Sequence, residues 1–187
     1  MPGIVACHQN EILVVSGCCL HQPKIVKDGV TFVWPALQTV DRLCTDPIVI
    51  KVDLKKQPTE NTTVLVNLKA QVTLGIAVDH EELLREAISS FLSKSQDQIQ
   101  KALQGTVEGV LGTVSGSMAP EQLKTKAEAF KRAVFESLCS ECIIMGIGVK
   151  SISDIEVSDD HGFYKNLKTE EMKSKAEGND QFELKYD

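Results

Sequence analysis

Between Val64 and Ile76, seven apolar residues (Val64, Val66, Leu68, Ala70, Val72, Leu74 and Ile76) occupy every second position. Of the six residues between them only Leu65 is apolar; Asn67, Lys69, Gln71, Thr73 and Gly75 are polar or small. A period of two sends side chains to opposite faces of an extended chain, so this segment suits a strand with one dry face and one wet face. Just upstream, Ile48, Ile50, Val52 and Leu54 alternate with Val49, Lys51 and Asp53. A polar loop with Pro58 and Asn61 separates the two runs, which predicts an antiparallel pair. Shorter apolar runs at residues 12–15, ending at Ser16-Gly17, and at residues 30–34, ending at Pro35, read as further strands.

The period then changes to that of helices. Asp79 with Glu82 three places on predicts a helix start, followed by Leu83, Leu84, Ala87, Ile88 and Phe91 on one face. Ser95 and Gln98 repeat the signal ahead of Ile99, Leu103, Val107, Val110, Leu111 and Val114, with Gly116 as the stop. Gly105, Gly109 and Gly112 lie inside this second helix, each costing about 1 kcal/mol relative to Ala, so its stability depends on packing. Pro120 opens a third helix with Leu123, Ala127, Phe130, Val134, Leu138 and Cys142 as its buried stripe and Gly146 as its end. Residues 147–157 return to strand alternation, with a phase slip near Ser151 that predicts a bulge. Strands, then helices, then a last strand argue an α+β fold: an antiparallel sheet with a packed layer of about three helices. The expected organisation is an N-terminal segment at 1–9, a domain at 10–167, and a charged tail at 168–187.

Charge narrows the function classes. Twenty Lys and Arg against 26 Asp and Glu leave a net −6 over 187 residues, without the basic footprint that nucleic acid demands. No apolar run approaches the ~20 residues of a spanning helix. The first ten residues lack the basic and then long apolar regions of a secretory signal. The expectation is therefore a reducing compartment in which Cys7, Cys18, Cys19, Cys44, Cys139 and Cys142 remain thiols. That setting also demotes Asn61-Thr62-Thr63 as a glycosylation sequon.

The chain makes no positive case for an enzyme. His8, His21, His80 and His161 show no metal-ligand spacing, so neither a metal ion nor a cofactor is expected. Phosphate loops and nucleophile elbows have no match, and Asp159-Asp160-His161 reads as a polar turn; no small-molecule substrate is expected. Cys139-Ser140-Glu141-Cys142 is a C-x-x-C pair, but it falls near the end of a predicted helix, where the dipole disfavours a thiolate. Cys142 also continues the apolar stripe. A thiol oxidoreductase using this pair is the minor alternative. The adjacent Cys18 and Cys19 follow one short apolar run and precede another, residues 30–37, with Phe32, Trp34 and Pro35. This suits a chain lying on a membrane and held by reversible S-acylation; on pattern alone a buried hairpin with two core thiols has the edge. Through residue 40 the charges are Glu11, Lys24, Lys27 and Asp28, which sum to zero, so anionic lipid would add little attraction.

Several stretches resemble, in order, the flotillin (reggie) family of the stomatin/prohibitin/flotillin/HflK-C, or band 7, superfamily. Asn10-Glu-Ile-Leu-Val-Val-Ser-Gly-Cys-Cys19 is similar to the flotillin start. Phe32-Val-Trp-Pro35 with Val40-Asp-Arg-Leu43 resembles its FVxP…VxRI segment, and the strand around Ala70-Gln-Val72 its "ISVTGIAQVKI". Phe91-Leu-Ser-Lys94, Thr106-Val-Glu-Gly109, and Met145-Gly-Ile147 with Asp154-Ile155 and Asp159-Asp160 resemble the FLGK, TLEG and MGI…KDI.DDQ elements. The resemblance covers roughly residues 10–167.

It implies an α+β band 7 domain and a non-catalytic scaffold of cholesterol-rich membrane microdomains. Such a scaffold would sit on the cytoplasmic side of the plasma membrane and endosomes, with roles in endocytosis and signalling assembly. The implied partners are a lipid surface and flotillin-like proteins, in homo- or hetero-oligomers. The family's paired acylated cysteines fall on Cys18 and Cys19, and Cys7 lies near a further one at a different spacing. Ile12, Leu13, Val14, Phe32, Val33 and Trp34 are the expected membrane contacts. Pro2 stands where myristoylated members have Gly, so no myristoyl group is expected, and Ala36 replaces a cysteine that some members acylate. Residues 108–112 lack the His and Arg of the family's EGHxR. The family's tyrosine falls on Phe163, with Tyr164 next to it, so no phosphorylation site is transferred. The coiled coil that follows the domain in flotillins has no counterpart in these 187 residues, which suggests a short form, a fragment or a diverged paralogue. A soluble band 7 interaction module without membrane anchoring is the main alternative.

Overall fold

The computed structural model describes residues 3–18, 20–60, 64–92, 94–159 and 163–164. Cys19, Asn61-Thr62-Thr63, Asp160, His161 and the tail at 168–187 lie outside the described residues. Eight strands and four helices follow in chain order among those described: β1 (Ile4–Ala6), β2 (Glu11–Gly17), β3 (Lys24–Val26), β4 (Val30–Phe32), β5 (Gln38–Cys44), β6 (Ile48–Pro58), β7 (Leu65–Ile76), α1 (Glu81–Phe91), α2 (Gln96–Gly116), α3 (Pro120–Thr125), α4 (Ala127–Ile143) and β8 (Ile147–Asp159). The fold is α+β, and every strand pair is antiparallel.

The strands form three small sheets, ordered β1-β4, β3-β2-β5 and β6-β7-β8. The central strand of the last is β7, the segment with the strongest alternation. Val66, Leu68, Ala70, Val72 and Leu74 are buried along it, while Lys69 is exposed between them. Against its dry face pack α1, α2 and α4, which contribute Leu84, Phe91, Leu103, Leu111, Phe130 and Leu138 to one continuous core. The β7–β8 register slips where Ser151 gives way to Val149 and again between Glu156 and Ser153. The slip expected near Ser151 is therefore present. A second irregularity interrupts β6–β7 between Leu54 and Gln57, where Lys56 has φ 55° and donates its N–H to Asn67 Oδ1 at 2.9 Å.

Two helix expectations change. The first helix begins at Glu81, not after Asp79; His80 is its N-cap and makes no side-chain cap bond. The stretch from Pro120 to Gly146 is two helices, because Lys126 leaves helical geometry at φ −116°, ψ 46°. Leu123 and Phe130, on either side of the break, are both buried, while Ala127, which an unbroken stripe would also bury, is exposed. By contrast, α2 starts as expected: Ser95 and Gln98 form a reciprocal capping box. Gly146, at φ 71°, ends the helical layer, and a side chain there would collide with the Leu83 carbonyl and the Ala87 backbone.

At the other end, β2 is buried on both faces. Ile12 and Val14 belong to the main core, whereas Leu13 and Val15 point to the opposite side and are equally dry. The short β1–β4 ribbon is continued by one pair at each end, with Cys7 N–H donating to the Gly29 carbonyl at 2.8 Å and Val33 N–H to the Gly3 carbonyl.

Candidate functional site

The β1–β4 ribbon has an inverted pattern. Cross-strand partners Ile4 and Phe32, and Ala6 and Val30, share one face, and all four are exposed. On the other face Val5 is half-buried, and Thr31 and, just past the strand, Val33 are buried. The outward face is thus the more apolar one. Ile4 (64% exposed), Val30 (69%), Phe32 (57%), Trp34 (59%) and Leu37 (54%) are five of the nine large exposed hydrophobic residues among those described. The Phe32 and Trp34 rings meet edge to face at 5.6 Å between centroids, which holds both outside the core.

A tight turn carries the strip onward. The Trp34 carbonyl accepts from Leu37 N–H at 3.2 Å and Gln38 N–H at 3.1 Å, Trp34 N–H donates to Gln38 Oε1 at 3.0 Å, and Ala36 sits at φ 71°. The turn displays Leu37 and brings its carbonyl to Cys18, whose N–H donates to it at 2.9 Å. Gly17 makes this approach possible. At φ 139° it lies against the Leu37–Gln38 backbone, and a Cβ there would overlap the Leu37 carbonyl and come within 2.7 Å of Gln38 Cα. The exposed Cys18 is therefore set by its preceding glycine beside the apolar strip.

The expected contacts divide. Phe32 and Trp34 are on this surface, but Ile12, Leu13, Val14 and Val33 are not, with exposures of 2%, 0%, 0% and 6%. That expectation is corrected: β2 lies between two layers of the fold, so its side chains have no surface to offer a bilayer. Ile4, Val30 and Leu37 were missed. Val30 had a signal in the apolar spacing of Val30, Phe32 and Trp34 at every second position; Leu37 is out of that phase, and Ile4 joins the face only through its pairing with Phe32. Cys7 is half-buried, with its Sγ facing the carbonyls of Glu11 (3.1 Å), Lys27 (3.3 Å) and Val26 (3.5 Å), turned into the chain rather than outward.

Beside this layer one carboxylate gathers three donors. Glu11 Oε1 accepts from the His8 backbone N–H at 2.7 Å, lies 2.7 Å from His8 Nδ1, and pairs with Arg42 Nη1 at 2.6 Å. The His8 N–H, then the His8 ring and the Arg42 guanidinium, hold the Glu11 carboxyl down at about 2. The C-x-x-C pair is placed very differently. Cys142 is fully buried, and burial pushes its thiol up to about 11; burial also raises Cys139. A redox dithiol needs the opposite shift. Among the described residues, no three His, Cys, Asp or Glu side chains converge as metal ligands, and no helix is long and apolar enough to cross a membrane.

Comparison with known proteins decides the family. The model of the SPFH domain / Band 7 family matches residues 6–178. The chain belongs to the Band 7 family. Within it, this Band 7 domain is flotillin-like. It is 32% identical to Flotillin-1 of Drosophila melanogaster over 179 residues, covering 93% of this chain and 41% of that protein. Flotillin-1 of Homo sapiens is 28% identical over 161 residues, covering 86% of this chain and 38% of its own length. Mouse (Mus musculus) Flotillin-1 is 28% identical, covering 86% of this chain and 37% of its own. The chain thus spans about two-fifths of the length of the curated relatives it matches.

Proposed function

We propose that this Band 7 domain is the lipid-facing part of a flotillin-like scaffold of membrane microdomains. It is held peripherally on the cytoplasmic side of the plasma membrane and endosomes, where it serves endocytosis and signalling assembly as a homo- or hetro-oligomer with flotillin-like proteins. One observation carries the reading: an outward strip of Ile4, Val30, Phe32, Trp34 and Leu37 adjoins Cys18 at the Leu37 turn. A contiguous exposed apolar strip has to be covered by something, and a ring system such as Trp34 suits the boundary between headgroups and acyl chains. A single acyl chain gives marginal, reversible attachment, and a second signal makes it stable. Cys18 and Cys19 as S-acylation sites, with the strip beside Cys18, supply that combination without basic residues. The same reading is non-enzymatic, supported by two C-x-x-C thiols that burial holds in the protonated form.

Acyl-exchange labelling combined with membrane flotation tests it. Wild-type protein is expected to be labelled and to float, and Cys18→Ser with Cys19→Ser to shift to the soluble fraction. Membrane recovery of the double variant at the wild-type level would end the acyl-anchor idea. A wholly soluble wild type would favour the interaction module instead.

A further inference from the structure

A second surface feature is independent of the lipid-facing strip. Between β3 and α1 runs a half-open groove of about 530 Å³, lined by Pro23, Ile25, Ile88 and Leu92 together with Arg85 and Lys94. Its size lies within the range of about 300–1,000 Å³ typical of small-molecule sites. The floor follows from local structure. Ile88 and Leu92 are one turn apart along α1 and its C-cap, and Ile25, on β3, faces them from across the gap. The hydroxyl residues Ser89 and Ser90 complete the wall.

Charge decides the occupant. The lining has two cations and no carboxylate. Arg85 is already engaged, donating to Gln22 Oε1 at 2.7 Å and pairing with the exposed Glu81 at 2.8 Å. Lys94 is different: among the described residues it has no ion-pair partner, and its Nζ lies 5.5 Å from the Phe91 ring centroid. An apolar trough whose lining includes an ammonium without an ion-pair partner fits an amphiphile with one chain and one negative charge. A neutral thioester-linked chain would leave the ammonium unused, and a two-chain phospholipid exceeds the trough.

We infer that the groove between β3 and α1 binds a long-chain fatty acid, its alkyl chain along Pro23, Ile25, Ile88 and Leu92 and its carboxylate at Lys94. The inference does not depend on membrane attachment, and its test uses no vesicles. The probe is 11-(dansylamino)undecanoate, titrated into the full chain, then displaced with laurate or with dodecanol. Saturable one-to-one binding is expected, with laurate the better competitor. Lys94→Glu is expected to weaken binding about tenfold by reversing the charge. Ser89→Phe, at an exposed helix position, fills the trough and is expected to abolish binding while leaving the melting temperature near wild type. Phe32→Ser with Trp34→Ser, outside the groove lining, is expected to bind as wild type. Three results would overturn the proposal: absence of saturable binding, equal displacement by laurate and dodecanol, or undiminished binding by a folded Ser89→Phe variant.

Discussion

Replacing both aromatic residues of the outward strip, Phe32→Ser with Trp34→Ser, should weaken partition into neutral vesicles by about two orders of magnitude. An aromatic side chain offers about 150–250 Å² for burial. With Phe32 57% and Trp34 59% exposed, roughly 100–150 Å² of each remains to be covered. If about half of that area passes below the headgroups, ~25 cal/mol per Å² gives about 1.5 kcal/mol per ring. Two rings then contribute about 3 kcal/mol, or roughly 100-fold in the partition constant. Because both rings lie outside the core, the melting temperature of the variant should hardly move. The assay is flotation of unacylated protein, paired with fluorescence. Trp34 is the single tryptophan, so its emission should shift to the blue on vesicles and be quenched by brominated acyl chains. Phosphatidylserine should add little, since the charges of the first 40 residues cancel. The reasoning fails if the protein floats with Trp34 unquenched, if the double variant partitions as wild type, or if binding climbs with anionic lipid.

Four further outcomes follow from the geometry. Glu11 has a folded-state pKa of about 2, below its ordinary 4.5, so its stabilising contribution is complete above 4.5 and is lost as pH falls towards 2. Glu11→Gln should flatten the fall of melting temperature across that window; an unchanged slope would show that the three donors do not act together. Tyr164→Phe removes the hydrogen bond from the buried phenol to the Pro120 carbonyl, 2.9 Å long, and should cost about 1–2 kcal/mol in urea unfolding. Gly109→Ala should stabilise by about 0.5–1 kcal/mol, because a Cβ there meets nothing within 4 Å, whereas Gly146→Ala should destabilise through its φ of 71° and the Leu83 carbonyl. Native-state alkylation near neutral pH should leave Cys142 unlabelled until the protein unfolds, and rapid labelling would revive the oxidoreductase alternative.

The parts of the fold that were legible in the sequence are those where one face is dry and the other wet. In β7 the alternation of Val66, Leu68, Ala70 and Val72 with Asn67, Lys69 and Gln71 leaves one register only. In α2 the capping box at Ser95 and the stripe from Ile99 to Val114 act at the same period. Residues 12–15 carry no such contrast. A run of Ile, Leu, Val and Val is the same whether core or lipid receives both its faces, and burial by two protein layers is a tertiary fact. The ribbon was obscure for the reverse reason. In Val30-Thr-Phe-Val-Trp34 the polar Thr31 faces inward, where it accepts a hydrogen bond from Lys24 Nζ at 3.0 Å, while its apolar neighbours face out. The break at Lys126 has no proline or glycine to announce it, and Leu123, Ala127 and Phe130 keep the i, i+4, i+7 spacing of one unbroken stripe across it.

The double-sided burial of β2 also has a mechanical meaning. The strand ends at Gly17, one residue before Cys18, and pairs with β5 through seven consecutive residues from Glu11–Cys44 to Gly17–Gln38. A tether at Cys18 pulling along the strand would load those rungs in shear, all at once, instead of peeling them singly. The strand that takes the load is also clasped above and below by packed side chains. Tension at the anchor would therefore pass into the helical core, and the domain would answer as a stiff body rather than shedding its outer layer.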